Sequence, residues 1–152
     1  GERDIAKLRL LGIDMVHLGL IFQIFFGGLL YIFRTPIAMA FKLSGETLEL
    51  TVILLGIACV FQIMDGLQVV AMNLMRGIKD VRSSMIIAML SYWIIPIPFS
   101  YYVGVKMGYG AEAVWWGLVI GLTVSSILGV GRYFWKLKQG PSVIFAADNY
   151  NQ

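Results

Sequence analysis

Four long apolar blocks, separated by short polar turns, dominate the pattern of this chain. The blocks occupy residues 10–33, 50–75, 84–105 and 111–135. Each is at least as long as the roughly 20 residues that an α-helix needs to cross the hydrocarbon core of a bilayer. The pattern therefore predicts an all-α integral membrane fold with four transmembrane helices. A loop at residues 1–9 and a tail at residues 136–152 would flank them.

The composition agrees with a membrane location. The 152 residues have a mean hydropathy of +0.79 and only 14% are charged, against about 25% in an ordinary soluble domain. The first block is too long for a signal peptide, lacks a small-residue cleavage site and carries Asp14 and His17. Because the chain starts at Gly1 on a segment typical of an interhelical loop, we interpret it as part of a larger protein. Cys59 is the single cysteine and is expected to be a packing group.

The basic residues alternate from one connection to the next. Three precede the first block, three lie between the second and third blocks, and three lie near the end of the fourth block or after it, whereas the other two connections hold only three together. By the positive-inside rule, both ends and the 76–83 loop are expected in the cytoplasm. We expect a multi-pass protein of the inner membrane. This distribution argues against nucleic-acid binding, which the net charge of +3 alone would allow.

Backbone chemistry predicts where the helices end or bend. The first helix is expected to end near Pro36, followed by an external loop, and Ser44 or Thr47 is expected to cap the second helix. In the third helix, Pro96 and Pro98 each remove a backbone donor, so we expect a kink there.

The fourth helix carries small residues at four-residue intervals, which places them on one stripe. These are Gly117, Gly121, Ser125 and Gly129. Four in register favours a seam for close helix packing over glycines that are merely tolerated in lipid. Tyr133 and Trp135, near the end of this helix, suit the inner membrane interface. We assign no role to residues 140–152.

Asp65 lies only about 4 Å along the axis from the centre of the second block, in a helix that is otherwise almost wholly apolar. At 100° per residue, the other polar side chains of this helix share with Asp65 an arc about 140° wide. They are Thr51, Gln62, Gln68, Asn73 and Arg76. The arc must therefore face protein or a water-filled cavity.

An ionised carboxylate at this depth costs at least about 2.5 to 3.5 kcal/mol, so Asp65 is expected to be paired, protonated or functional. The alternative is a hydrogen-bond network that only holds helices together. Asp14 and His17, one turn apart, suit either a proton relay or an ordinary interfacial pair. Glu112 begins the fourth helix, where an acid is stabilised by the helix N-terminus. The sequence has no metal-ligand cluster, catalytic triad or phosphate loop, so we predict neither an enzyme nor a cofactor.

The order of the motifs resembles the C-terminal part of the multidrug and toxic compound extrusion (MATE) transporter family, of the NorM type. The segments that carry the resemblance are FQIMDGLQVVAMNLMRGIKDVRSSM, SYWIIPIPFSYYVG and GYGAEAVWWGLVIGLTVSS. They contain F-Q-x-x-D-x-x-Q, R-G-x-K-D-x-R, Y-W-x-x-x-x-P and G-x-x-x-x-W-x-G in family order. The resemblance extends to about Trp135.

This resemblance implies a twelve-helix transporter of two six-helix bundles, in which the chain supplies helices nine to twelve. Its partners would be the N-terminal bundle, the first two helices of the C-terminal bundle, the lipid bilayer and small cationic drugs or dyes. The implied function is multidrug efflux by antiport, which exports organic cations in exchange for H⁺ or Na⁺.

The family pattern also implies roles for particular residues. Asp65 would bind the coupling ion and the drug in turn, with Gln62 and Gln68 lining the path. From the residues themselves, independently of the resemblance, we also predict a secondary polar path of Asn73, Asp14 and His17. Some members carry a tyrosine one turn before the acid, where this chain has Phe61, so the sequence leaves the choice between H⁺ and Na⁺ at Asp65 open.

Two other functions fit the same helices. A lipid-linked oligosaccharide flippase of the same superfamily would need a cationic cavity, and the intramembrane charges here are acids. A non-transporting four-helix membrane subunit would use the polar face for assembly.

Overall fold

The computed structural model describes residues 2–140, with side chains from residue 4 onward. Its α-helices are α1 (Glu2–Ala40), α2 (Glu46–Gly77), α3 (Val81–Met89), α4 (Pro96–Phe99) and α5 (Gly110–Lys138). α3 and α4 belong to a single third span, Val81–Lys106, together with two π-helical segments, Leu90–Ile94 and Ser100–Lys106. Four spans are long and apolar enough to cross a membrane, and residues 2–140 contain no strand. The predicted all-α membrane fold is confirmed.

α1 is longer than predicted at both ends. Residues 2–9 are helical rather than a loop, and the helix continues through Pro36 for four more residues. A proline removes one backbone donor, but packing outweighs that loss here. Ala38 is fully buried, and the Arg34 guanidinium lies so close to Gly56 of α2 that an added Cβ would approach it to 3.0 Å. The first helix therefore ends at Ala40, beyond both the apolar block and the predicted stop near Pro36, so that predicted end is wrong.

α2 begins at Glu46 without a side-chain cap, so the caps predicted at Ser44 and Thr47 are wrong. The residue before the helix is Gly45, whose φ of 61° lies in the left-handed region that favours glycine. Glu46 and Glu49 lie in the first turn, where their charge suits the positive end of the helix dipole.

The other ends shift by a few residues. α5 continues to Lys138, so the first three residues of the predicted tail are helical. Residues 141–152, the last part of that tail, lie outside the described residues.

α1 runs antiparallel to α2, and glycines bring the two helices close together. An added Cβ would approach the Val70 side chain to 2.8 Å at Gly19 and the Ile63 side chain to 3.1 Å at Gly27. The residue number of the contacted side chain in α2 falls as the residue number in α1 rises, so the two helices run in opposite directions. Gly19 and Gly27 therefore lie on the face of α1 that packs against the middle of α2.

α5 also packs along α2, but in the parallel direction. Near the start of α5 and the middle of α2, the rings of Phe61 and Trp115 meet edge to face with centroids 5.6 Å apart. Further along, the Ser126 hydroxyl donates to the Met64 carbonyl at 3.2 Å. α2 thus has α1 on one of its faces and α5 on another, so most of its length is covered.

The third span departs from α-helical hydrogen bonding beside its prolines. The Ile95 N–H donates to the Leu90 carbonyl, five residues back, at 3.1 Å. Pro96 and Pro98 have no N–H to donate, so the series of α-helical hydrogen bonds is interrupted at these two residues. The kink expected there from the sequence stays a prediction. The π-helical bonding sets the direction of the side chains in segment Leu90–Ile94.

The most closely packed part of the bundle lies where α1 and α3 begin and α2 and α5 end. We call it the basic end. Its buried apolar cluster comprises Met72, Leu74, Met75, Ile78, Ile87, Tyr133 and Leu137. Tyr133, which we predicted at the membrane interface, is only 1% exposed, and its hydroxyl donates to the Leu8 carbonyl at 2.7 Å. The phenol therefore has a partner inside the bundle, and its position at the membrane interface stays a prediction.

Asp80 joins the turn after α2 to α5 at the basic end. Its Oδ2 lies 3.0 Å from Arg132 Nε and 3.4 Å from Lys136 Nζ. Burial raises the pKa of Asp80, but hydrogen bonds from Ser83 and Arg132 and the charges of Lys136 and Arg132 outweigh it. The pKa of Asp80 therefore lies below its ordinary value of 3.8, and the carboxylate is ionised at neutral pH.

Candidate functional site

Asp65 lies about midway along α2 and is half-buried. Its Oδ1 accepts a hydrogen bond from the Tyr92 hydroxyl at 3.3 Å. Tyr92 belongs to the π-helical segment Leu90–Ile94 of the third span. The acid therefore faces protein on at least one side, and a polar group from another helix meets it there.

Gln68, one turn after Asp65, is inside the bundle and only 3% exposed. Its Nε2 donates to Ser91 Oγ at 3.1 Å, and Ser91 Oγ in turn donates to the Ile87 carbonyl at 3.0 Å. The Gln68 Oε1 atom is buried without a hydrogen-bond partner. Two consecutive residues of the third span, Ser91 and Tyr92, thus contact two successive polar groups of α2.

The rest of the polar arc is more open. Gln62 is half-buried, and Asn73 and Arg76 are exposed. A cavity of about 250 Å³ lies between α2 and the third span, and its lining includes Gln68, Asn73, Arg76 and Tyr92. The arc predicted from the sequence therefore leads from a buried amide to an open groove at the basic end.

Asp14 and His17 are not brought to Asp65. Both side chains are exposed on α1, and His17 Nδ1 bonds to the carbonyl of Ile13 in its own helix at 2.9 Å. Gly19 lies on the face of α1 that meets the middle of α2, and this face is on a different side of the helix from Asp14 and His17. Together with Lys7, both residues border a separate surface hollow of α1.

The small-residue stripe of α5 lies against two neighbours. Gly117 faces the third span, where an added Cβ would approach Ser100 Oγ to 2.8 Å, and Gly121 lies against the Ser91 carbonyl. Gly129 faces α2 and would bring a Cβ to 2.9 Å from Ala71. Ser125, between them, is 1% exposed, and its hydroxyl has no hydrogen-bond partner. Because the partner numbers fall as the glycine numbers rise, the third span runs antiparallel to α5.

The described oxygen groups that meet at this site are the Asp65 carboxylate and the Tyr92 hydroxyl. Oxygen atoms are the ligands that hard cations prefer. Among residues whose side chains are described, no group of three His, Cys, Asp or Glu residues could hold a metal ion.

Comparison with known proteins decides the family. The sequence model of the MatE family matches residues 1–102, which include α1, α2 and most of the third span. The chain belongs to the MatE family. The resemblance predicted from the motifs is confirmed.

The MatE relatives are multidrug resistance proteins by name. MdtK of Photorhabdus laumondii is 30% identical over 148 residues, which are 95% of this chain and 32% of MdtK. MdtK of Proteus mirabilis is 31% identical over 149 residues, again 95% and 32%. A probable NorM protein of Burkholderia pseudomallei is 44% identical over 93 residues, 61% of this chain and 20% of that protein. The chain therefore spans about a third or less of these relatives, and none of their names describes an enzyme.

Sequence reasoning missed three polar residues of this MatE site. Gln23 of α1 packs against Gly66, the neighbour of Asp65, so closely that an added Cβ there would overlap its amide. Ser91 and Tyr92 come from the third span. The signals in the sequence were an isolated amide in an apolar helix and the glycine beside the acid. Neither identifies a contact without the packing of the helices.

Proposed function

We propose that the chain forms helices nine to twelve of a twelve-helix multidrug efflux antiporter in the inner membrane. The transporter exports organic cations in exchange for H⁺ or Na⁺, and its remaining eight helices complete the two bundles. MatE membership and the names of the relatives support efflux of drugs. The nine-to-three division of basic residues supports cytoplasmic ends.

The observation that carries this proposal is the surroundings of Asp65. A half-buried carboxylate midway along a membrane-spanning helix accepts a phenolic hydrogen bond and lies one turn from a buried amide. A structural network would satisfy all its members, but Gln68 Oε1 lacks a partner in the structure. An unsatisfied acceptor beside an acid supports a site whose hydrogen bonds are completed by an ion, water or substrate.

In this mechanism, Asp65 alternates between the coupling ion and the drug. A positive ligand neutralises the carboxylate, and only one of the two cations can do so at a time, which produces exchange. Gln62 and Gln68 line the path. Tyr92 orients the carboxylate toward the groove between α2 and the third span.

The test is Asp65→Asn in the full-length transporter, measured as efflux of a cationic dye from proteoliposomes. A pH gradient alone and a Na⁺ gradient alone are imposed in separate experiments, so that the wild type also reveals the coupling ion. The variant is expected to lose gradient-driven efflux by at least about a hundredfold, because an amide cannot neutralise a cation. Glu112→Gln, which removes an acid from the first turn of α5, is the matched control and should retain efflux. Efflux by Asp65→Asn at the wild-type rate would remove this residue from coupling.

A further inference from the structure

A groove on the surface of the bundle, between α3 and α5 near the basic end, has no part in the transport mechanism. Its volume is about 380 Å³, and its lining includes Ile87, Ile127, Leu128 and Gly131. Ile127 is 66% exposed, and a Cβ added at Gly131 would meet nothing within 4 Å. The groove is therefore largely apolar and is open on the outside of the four described spans.

The groove has a cationic end. Arg132 and Trp135 close it, and the Arg132 guanidinium carbon lies 5.1 Å from the centroid of the Trp135 ring. Tryptophan is enriched at the level of lipid headgroups. The groove thus begins where a headgroup would lie and continues along the acyl region.

The charges at this end leave a positive excess. Arg132 and Lys136 share the single carboxylate of Asp80, so the three groups together carry one positive charge. The bond from Arg132 Nε to Asp80 uses one of the five N–H donors of a guanidinium. The side chain of Arg132, 37% exposed, therefore retains the capacity to bind an anion from the bilayer.

We propose that this groove binds one anionic glycerophospholipid, with its phosphate at Arg132 and an acyl chain along Ile127, Leu128 and Gly131. Basic pockets between transmembrane helices are a recurrent way to hold anionic headgroups. The charge of the groove favours this occupant over a zwitterionic lipid. The site is independent of ion coupling at Asp65, so either proposal can fail without the other.

The test uses the full-length transporter, stripped of lipid and titrated with phosphatidylglycerol or phosphatidylcholine, with bound lipid counted by native mass spectrometry. The wild-type protein is expected to bind phosphatidylglycerol several-fold more tightly than phosphatidylcholine. Gly131→Leu places a side chain in the groove from a Cβ position that meets nothing within 4 Å, and it should weaken phosphatidylglycerol binding at least about fivefold. Gly28→Leu is the matched control, because Gly28 is also a helical glycine with nothing within 4 Å, and it should bind as wild type does.

Two further variants test the headgroup. Arg132→Gln should abolish the preference for phosphatidylglycerol, whereas Arg132→Lys, which keeps the charge, should retain it. Equal binding of both lipids by wild type, or unchanged phosphatidylglycerol binding in Gly131→Leu or Arg132→Gln, would overturn the proposal. If Gly131→Leu prevents folding while Arg132→Gln binds lipid normally, the groove is filled by another helix of the transporter, and the lipid site is refuted.

Discussion

The hydroxyl that meets Asp65 comes from the third span and not from α2. One turn before the acid, where some MATE proteins have a tyrosine, stands Phe61, and its ring packs against Trp115. The phenol is supplied by Tyr92, 27 residues further along the chain. Periodicity within α2 places Asp65 on a polar face, but a contact between helices depends on how they pack.

Tyr92→Phe tests whether this hydroxyl serves the acid. The Tyr92 hydroxyl donates to the carboxylate and stabilises its free, ionised form by about 1.5 kcal/mol. Without that bond the carboxylate binds the coupling ion more tightly, so the ion concentration for half-maximal efflux should fall about tenfold. The maximal rate should change little, because Asp65 remains. Dye efflux from proteoliposomes across a series of ion concentrations measures both quantities. Tyr101→Phe removes an exposed phenol from the same span and should leave both unchanged; a lower maximal rate with an unchanged midpoint in Tyr92→Phe would contradict the positioning role.

Gln68→Leu, one turn after Asp65, separates the effect of the amide on function from its effect on stability. The substitution removes a buried acceptor without a partner, and Ser91 keeps its bond to the Ile87 carbonyl, so nothing new is left unsatisfied. The free energy of unfolding should stay the same or rise by about 1 kcal/mol, while drug efflux falls. Thermal unfolding in detergent and dye efflux measure the two effects. A variant that unfolds at a lower temperature would instead indicate a structural amide.

At the scale of helices, two glycines of α5 are expected to respond in opposite ways to the same substitution. A Cβ at Gly121 would collide with the Ser91 carbonyl, whereas a Cβ at Gly131 meets open space. Gly121→Ala should therefore lower the free energy of unfolding by about 1–3 kcal/mol. Gly131→Ala should raise it by about 0.5–1 kcal/mol, because alanine favours the helix. Equal unfolding temperatures for the two variants would mean that α5 and the third span are not in close contact.

The number and type of the membrane spans could be predicted from the sequence, because the length of an apolar block is set by bilayer thickness. The helix ends were harder to predict. Pro36 and Ser44 carry local signals for a stop and a cap, yet burial of Ala38 extends α1 and Gly45 starts α2. Interhelical contacts contribute more free energy than these local preferences. The acid and its arc were recognisable from helical periodicity, whereas Gln23, Ser91 and Tyr92 were not, since each is brought in by tertiary packing.

Considered as a whole, the molecule is best packed at the basic end. Tyr133 and its neighbours form the buried cluster there, while α1 has apolar side chains exposed along most of its length. In a bilayer, such side chains contact lipid or further helices. The basic end thus holds the four spans together, and the Asp80 ion pairs are its polar component.

Asp80 gives this end a defined dependence on pH. Its folded-state pKa lies below the ordinary 3.8, so the stabilisation is present above pH 3.8 and is lost as the pH falls through the folded value. Wild type should therefore unfold at a clearly lower temperature at pH 3 than at pH 7. Asp80→Asn should be about 1 kcal/mol less stable at pH 7, since Arg132 is partly solvated, and should lose less on acidification. The same loss in both proteins would assign the acid sensitivity to other carboxylates.

The π-helical segment Leu90–Ile94 holds one residue more per turn than the α-helical ladder around it would need. An α-helix turns the chain by about 100° per residue, whereas the wider turn of a π-helix turns it by less per residue. The residues after Ile94 therefore lie at a different angle about the axis than an uninterrupted α-helix would give them. Tyr101, Tyr102 and the prolines point at different neighbours as a result. The wide turn thus decides which surface the second half of the third span offers to its surroundings.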